Sequence, residues 1–196
     1  KKAMIDWLGP VIHESYASSE TGYITVMAPQ DALRKPGSAG KVVGQARIRI
    51  LDDDGKDLPA GGIGRIYAHQ PAYSDFSYHG NDAARREVEH DGLVSVGDMG
   101  YLDEEGFLYV CDRASDMVIS GGVNIYPAEI EHVLIGLPGV ADCAVVGIPD
   151  DEFGEALAAQ VVAESGATLD VDGLRHELAQ RIAGYKVPRR IDIVAA

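Results

Sequence analysis

Short apolar runs that alternate with polar residues mark most of the first half of the chain. The clearest is Arg47–Leu51, where Ile48 and Ile50 alternate with arginines, which is the period of a half-buried strand. Glycine, proline and aspartate turns separate this run from its neighbours, including a second apolar run at 65–69. The pattern predicts an antiparallel β-subdomain that begins near residue 35.

Longer apolar segments follow residue 116, and their order differs from that of the first half. Pro127 followed by Glu129 is typical of a helix start, where proline needs no hydrogen bond and an acid meets the positive end of the dipole. A helix is also predicted at residues 3–8 and a short buried strand at Val11–Ile12. Beyond residue 116 the predicted elements are a strand at 117–119, a helix at 127–137, strands at 141–148 and 156–162, and a helix at 171–183. This order indicates an α+β fold.

The composition is that of a soluble globular protein, with 46% hydrophobic and 24% charged residues in 196. The formal net charge of −14 argues against nucleic acid as the main partner, although a local basic cluster could still bind a phosphate-bearing small molecule. Neither end of the sequence has the pattern of a signal peptide, and no apolar run approaches the roughly 20 residues of a transmembrane segment, so we expect neither feature in this stretch. Cys111 and Cys143 lie in apolar runs and fit reduced core residues of a cytoplasmic protein. No pattern indicates an oligomeric state.

Two residues in the stretch 97–116 suit a nucleotide. Asp98 follows a glycine in a predicted turn, and its carboxylate can accept two hydroxyl donors, such as the vicinal diol of a ribose. Arg113 keeps its charge and offers a planar fork to hydroxyls or phosphate. From residue types alone, a hairpin turn with a solvated charge run is the favoured interpretation.

A second candidate ligand segment is Glu14–Gly22, where a predicted strand leads into small hydroxyl residues and an acid. Tyr16 can stack on a base, Ser19 can donate to phosphate oxygens and Glu20 can hold Mg²⁺ through an oxygen. The alternative is a polar turn in which Glu20 caps the backbone.

These segments resemble motifs of the adenylate-forming superfamily, which contains acyl-CoA synthetases, luciferases and nonribosomal adenylation domains. Residues 97–131, GDMGYLDEEGFLYVCDRASDMVISGGVNIYPAEIE, match GD-x-G-x-x-D-x-x-G-[FY] and the adjoining R-x-x-D and P-x-E motifs. Tyr16–Glu20 resembles Y-G-x-[ST]-E, with Ala17 in place of glycine. The strand at 65–69 lies where the family has G-E-[IV]-x-[VI], and 150–155 resembles its D-x-x-[FW]-G-E loop.

The resemblance implies a nucleotide site in the first part of the chain. It places Tyr16 on the adenine, Ser19 at phosphate, Asp98 at the ribose and Arg113 at the ribose and phosphate. It makes Glu20 the catalytic residue, which helps to hold Mg²⁺. The implied cofactors are ATP or AMP, Mg²⁺ and CoA, and the implied substrate is a small carboxylic acid.

In the second part, the resemblance implies a hinge and a channel for CoA. Ser115 occupies the hinge position, where the family often has Asp or Lys. Ser120 and the pair Gly121-Gly122 border the expected pantetheine channel, although a plain tight turn is the alternative for the glycines. Arg189 is a candidate for a CoA phosphate. It belongs to a basic cluster with Lys186 and Arg190, and this cluster could instead bind a neighbouring acidic face.

The expected organisation is the C-terminal, β-rich part of a large AMP-binding domain at 1–112, a hinge at 113–116, and a small α+β lid domain at 117–196. The lid would lack the lysine that follows it in the family. The segment ISGGVNIYPAEIE most resembles the corresponding motif of fatty-acid and aryl acyl-CoA synthetases. The resemblance therefore implies an inactive fragment of an ATP-dependent acyl-CoA synthetase, an AMP-forming acid–thiol ligase. Two alternatives are a carrier-protein-loading adenylation domain and a non-catalytic nucleotide-binding or interaction module.

Overall fold

The chain divides into two compact units in a computed structural model that describes residues 1–194. The first unit is Lys1–Ala114 and the second begins at Ser115. This division falls inside the segment 113–116 that the sequence marks as a hinge. No helix in the described part of the chain is long and apolar enough to cross a membrane.

The first unit opens with a helix and a three-stranded antiparallel sheet, in the order β1-β2-β3. The helix α1 is Lys2–Leu8, and the strands are β1 (Glu14–Ser18), β2 (Gly22–Met27) and β3 (Lys41–Val42). The predicted buried strand at Val11–Ile12 is wrong: Val11 is 61% exposed and belongs to no strand. Gly9, with φ of 79°, and Pro10 break the chain before it, so the strand forms only at Glu14.

A six-stranded antiparallel sheet forms the rest of the first unit, with β4 paired to β5 and the path β6-β7-β5-β8-β9. Its strands are β4 (Arg47–Leu51), β5 (Gly64–His69), β6 (Glu89–His90), β7 (Leu93–Val94), β8 (Asp98–Leu102) and β9 (Leu108–Arg113), and helix α2 is Asp82–Glu87. Burial alternates along β5, with Ile66 and Ala68 in the core and Arg65 and Tyr67 partly exposed. The predicted strand at 47–51 and the predicted antiparallel subdomain are confirmed.

The second unit is a mixed sheet with two helices. Its elements are β10 (Val118–Ser120), β11 (Val123–Ile125), α3 (Pro127–Ile135), β12 (Val140–Asp150), β13 (Gly154–Ala163), α4 (Val171–Ala179), a 3₁₀ turn (Gly184–Lys186) and β14 (Arg190–Val194). The sheet order is β11-β10-β13-β12, and β14 runs parallel to β13. Fully buried Ile130 and Leu134 of α3, Leu178 of α4 and Val161 of β13 form the centre of its core. The predicted α+β order is confirmed.

Both helices of the second unit begin as their sequences predict, but α4 ends early. Pro127 is at the first turn of α3, and the Asp170 carboxylate caps α4 by accepting from the Gly173 N–H at 2.9 Å. The sequence predicts α4 to continue to Ala183. It ends at Ala179 because the chain turns away, and Ala183 is extended with ψ of 141° before the 3₁₀ turn.

Candidate functional site

Asp98 is held by two partners at the start of β8. The residue is 9% exposed, and its Oδ2 accepts a hydrogen bond of 2.7 Å from the Tyr16 hydroxyl. The Arg113 Nε lies 3.3 Å from Oδ1, because Asp98 and Arg113 are direct partners in the antiparallel β8–β9 register. The expectation that Asp98 lies in a turn is wrong. The turn residue is Gly97, with φ of 90°, and Asp98 is the first residue of the strand.

Tyr16 connects the two sheets of the first unit. Its ring packs against the apolar clusters that contain Ile24 and Ile66, and its hydroxyl reaches Asp98. Burial, and then the hydrogen bond to Asp98, raise the pKa of Tyr16, so the hydroxyl stays protonated and remains a donor. The structure therefore uses this ring for packing and its hydroxyl to orient Asp98.

Glu20 lies in the turn between β1 and β2. Its Oε1 accepts a hydrogen bond of 3.2 Å from the Tyr78 hydroxyl. Burial, and then the charge of Glu20, raise the pKa of Tyr78, which keeps this donor protonated. Ser18 and Thr21 close the turn through their hydroxyl oxygens, 2.8 Å apart.

A cavity of about 570 Å³ in the first unit brings most of the candidate residues together. Glu20, Asp98 and Arg113 line it, and Tyr16 joins them through its bond to Asp98. Ser19 does not line the cavity: it is exposed in the turn, and Ser18 takes its place in the wall. The other lining residues, which the sequence did not single out, include Arg65, Tyr67, Tyr78, Glu87 and Ser95.

One signal for the overlooked residues was present in the sequence. Arg65 and Tyr67 alternate with buried residues on β5, so the period-2 pattern alone places both on one face. That this face borders the cavity depends on long-range pairing of β5 with β8 and on the position of Tyr78 in an irregular segment, and no local pattern encodes either.

The candidate ligand surface of the second unit is a cavity of about 310 Å³. Ser120 and Gly121 line it together with Phe153 and Tyr185. Gly121 has φ of 58°, and a Cβ at this position would lie 3.0 Å from the Phe153 ring. A side chain at 121 would therefore be strained and crowded, whereas Gly122, with φ of 79°, faces open space.

The basic cluster of the second unit is paired with carboxylates of the same unit. The Arg189 guanidinium lies 3.3 Å from Asp150 and 4.3 Å above the centre of the Phe153 ring. Lys186 and Arg190 are paired with carboxylates as well, at 2.6 Å from Glu129 and 2.7 Å from Asp192. Each of the three cations thus already has an acidic partner within the unit, and Arg189 would have to share its charge with Asp150 to bind a phosphate.

The hinge candidate Ser115 is the first residue of the second unit. Its hydroxyl donates to the Asp116 carboxylate at 2.9 Å, and both side chains are exposed. This contact is local, and neither Ser115 nor Asp116 contributes a buried side chain to a core.

Comparisons with known proteins match both units. Family models described as "AMP-binding enzyme" and "AMP-binding enzyme C-terminal domain" match residues 1–75 and 129–196. A 2-succinylbenzoate–CoA ligase of Bacillus cereus is 43% identical over 93% of this chain. The o-succinylbenzoate CoA synthetase of Bacillus subtilis, solved with its acyl-adenylate intermediate, matches 98% of the chain with 35% identity and a TM-score of 0.91. The same enzyme solved with ATP and magnesium matches 93% of the chain, with 37% identity and a TM-score of 0.85.

The chain spans a little over a third of the length of these relatives: 37% of the Bacillus cereus ligase and 39% of the first Bacillus subtilis structure. Within that span the similarity runs through both units and includes the strands that hold Asp98 and Arg113. The family models, the curated relative and the solved structures agree, and the chain belongs to the adenylate-forming superfamily of AMP-binding enzymes.

Proposed function

We propose that the protein to which this chain belongs is an AMP-forming ligase that activates an aryl or fatty carboxylic acid with ATP and transfers it to CoA. One observation carries the proposal: Tyr16 and Arg113 fix Asp98 at a cavity that Glu20 also lines. The names of the relatives, which are ligases of an aryl acid and CoA, support the aryl choice.

Asp98 and Arg113 would bind the nucleotide. An ionised carboxylate offers about four lone-pair sites, so Asp98 can accept from ribose hydroxyls while it keeps Tyr16 and Arg113 as partners. The Arg113 side chain is 62% exposed and is bound to Asp98 through Nε, which leaves its outer N–H groups for a phosphate oxygen.

Glu20 would hold Mg²⁺ together with the phosphates. Among the described residues no group of three or more acidic, histidine or cysteine side chains could form a metal site by itself. This fits Mg²⁺, which usually takes one or two carboxylates and completes its shell with water and substrate phosphates. When bound, the ion would neutralise charge on the phosphates.

The proposed reaction has two steps. In the first, a carboxylate oxygen of the acid bonds to the α-phosphorus of ATP while the α–β bond breaks, which gives an acyl-adenylate and pyrophosphate. In the second, the CoA sulfur bonds to the acyl carbon, the thiol proton is lost and AMP leaves. The residues of this chain would hold the nucleotide in line rather than react covalently. Ser120 and Gly121, at the cavity of the second unit, would border the path of the pantetheine.

The 196-residue chain alone is proposed to bind nucleotide but to turn over little, because it spans only a little over a third of its relatives. Carboxylate-dependent pyrophosphate exchange by the purified chain at the rate of a complete enzyme would contradict this. In the full-length protein, acylation of CoA supports the ligase, whereas acylation of a carrier protein alone supports an adenylation domain. Nucleotide binding without any turnover supports a non-catalytic module.

The binding site is tested by calorimetric titration of the chain with AMP. We expect Asp98→Asn to weaken AMP binding on the order of 10-fold or more, because the charged acceptor for the ribose is lost. Asp53→Asn, in an exposed turn of the same unit, is the matched control and should bind like the wild type. Equal affinities for both variants, with far-UV circular dichroism unchanged, would refute the ribose role.

A further inference from the structure

The cavity of the first unit contains a second arginine, Arg65. It lies on β5 and is partly buried, and its backbone pairs with Leu51 on one side and Met99 on the other. Met99 follows Asp98, so the strand that carries Arg65 runs directly beside the strand that carries Asp98. Two arginines from strands on either side of β8 thus border one cavity, Arg65 from β5 and Arg113 from β9.

The Arg65 side chain has no hydrogen bond and no ion pair with any residue in the described range 1–194. Two other arginines of the same unit do: Arg49 reaches Asp57 and Asp91, and Arg85 reaches Asp75 and Glu89. Glu20 and Glu87 line the cavity with Arg65, yet neither forms an ion pair with it.

The Arg65 guanidinium keeps its charge. None of the described residues has a buried side-chain nitrogen without a partner, so the Arg65 donors are open to solvent and available to a ligand. The chain carries 31 acidic residues, so a carboxylate partner would be easy to supply. The cavity therefore carries a positive group that no carboxylate of residues 1–194 pairs with.

We propose that Arg65 is an anion-recognition residue of this cavity, which binds an oxyanion group of the ligand. The guanidinium fork matches a phosphate and a carboxylate equally well, so the oxyanion is either the outer phosphates of the nucleotide or the carboxylate of an acid. This inference rests on the proposed function for the identity of the ligands. It adds a specificity residue that acts on charge, separate from the ribose contact of Asp98.

The test is a set of calorimetric titrations of the whole chain with adenosine, AMP, ATP, pyrophosphate and 2-succinylbenzoate. The variants are Arg65→Gln and the matched control Arg47→Gln. Arg47 is on the neighbouring strand β4 of the same sheet, is exposed, lies outside the cavity wall and has no side-chain partner in the described range. We expect Arg65→Gln to weaken binding of the recognised anion on the order of 10- to 100-fold, as for loss of a charged hydrogen bond, and to leave adenosine unchanged.

The pattern of losses identifies the source of the oxyanion. Weaker binding of ATP and pyrophosphate, with the acid unaffected, assigns Arg65 to the phosphates. Weaker binding of the acid, with the nucleotides unaffected, assigns it to the carboxylate. If Arg65→Lys binds the anion more tightly than Arg65→Gln but less tightly than the wild type, both the positive charge and the second N–H donor of the guanidinium contribute to the affinity.

Two results would overturn the inference. One is Arg65→Gln indistinguishable from Arg47→Gln with every ligand. The other is a wild-type chain that binds none of the five ligands, which would also count against the proposed function. The two ideas separate when Asp98→Asn is measured alongside. If Asp98→Asn loses AMP binding and Arg65→Gln binds every ligand normally, the proposed function stands and the inference about Arg65 is wrong. If Arg65→Gln loses pyrophosphate binding and Asp98→Asn binds AMP normally, the inference stands and the proposed ribose contact is wrong.

Discussion

At the scale of single residues, the candidate site depends on how a nearly buried carboxylate is oriented. Asp98 has one partner that is a cation and one that is a hydroxyl, and the two bind different oxygens. The cation comes from the adjacent strand and the hydroxyl from the other sheet of the unit. The orientation of Asp98 therefore depends on both sheets.

Removing the Tyr16 hydroxyl tests this dependence. Tyr16→Phe keeps the ring in its apolar contacts but leaves Asp98 Oδ2 without its donor. We expect the free energy of unfolding to fall by about 1–3 kcal/mol, since the partner left behind is charged and largely buried. The measurement is urea unfolding followed by circular dichroism. Tyr23→Phe is the control, because Tyr23 is 54% exposed and its hydroxyl has no partner in the described range, and equal midpoints for the two variants would contradict the role of Tyr16.

The thiol of Cys143 gives a prediction that depends on pH. Burial, aided by the charges of Glu131 and Asp142, raises the pKa of Cys143 to about 11, from about 8.5 for a free thiol. Alkylation by iodoacetamide, followed at this residue by mass spectrometry, should be half-maximal near pH 11 in the native chain and near 8.5 in urea. The unfolded thiol loses its proton first, so stability should fall as pH rises between these values.

The Cys143→Ala variant is the control for this pH dependence. Other groups titrate in the same range, and only the part of the stability loss that disappears in Cys143→Ala belongs to the thiol. Native alkylation that is already half-maximal near pH 8.5 would show that Cys143 is not shielded as its position on β12 indicates.

At the scale of elements, the sequence is most informative where burial is repeated along a strand or a helix. The alternation in β4 and the proline at the start of α3 each determine their element locally, and both predictions are confirmed. At Val11–Ile12 two apolar residues were too few to distinguish a strand from an exposed connection. The length of α4 was overestimated because its end depends on where the chain must turn to reach β14.

The candidate site also has features that the sequence indicates locally and features that depend on distant parts of the chain. Motif resemblance was enough to name Asp98, Arg113 and Glu20 as candidates, and the structure places all three at one cavity. The sequence could not show that Arg65 lacks a partner, because this depends on which side chains the fold brings close to it. Likewise, the burial of the Tyr16 ring requires both sheets of the first unit.

The contribution of α4 to the second unit can be measured with one substitution. Leu178 is fully buried in the core, so Leu178→Ala should lower the free energy of unfolding of this unit by about 2–5 kcal/mol. Val146→Ala is the control, because Val146 on β12 is 53% exposed and should change stability by about 0.5 kcal/mol or less. Urea unfolding of both variants gives the comparison, and similar losses would show that α4 does not pack as a core element.

At the scale of the whole molecule, the chain keeps its apolar cores separate. The core cluster of the second unit lies between Val118 and Ile191, and the three clusters of the first unit lie before residue 110. The candidate site residues are divided in the same way, with the proposed nucleotide cavity in one unit and the proposed pantetheine cavity in the other. Each unit therefore has its own apolar core and its own cavity, and can be studied as a separate piece.

The separation of the cores predicts that the piece 115–196 folds by itself. It contains a complete apolar cluster and is longer than the roughly 40 residues below which a domain usually needs disulfides or metals. We expect a single cooperative transition in urea, followed by circular dichroism. The piece 122–196 is the matched control: it loses β10 and with it Val118, which is 2% exposed, and should unfold at a lower urea concentration. A gradual, non-cooperative transition of 115–196 would show that its core depends on residues before Ser115, and the proposed division of the chain would have to be withdrawn.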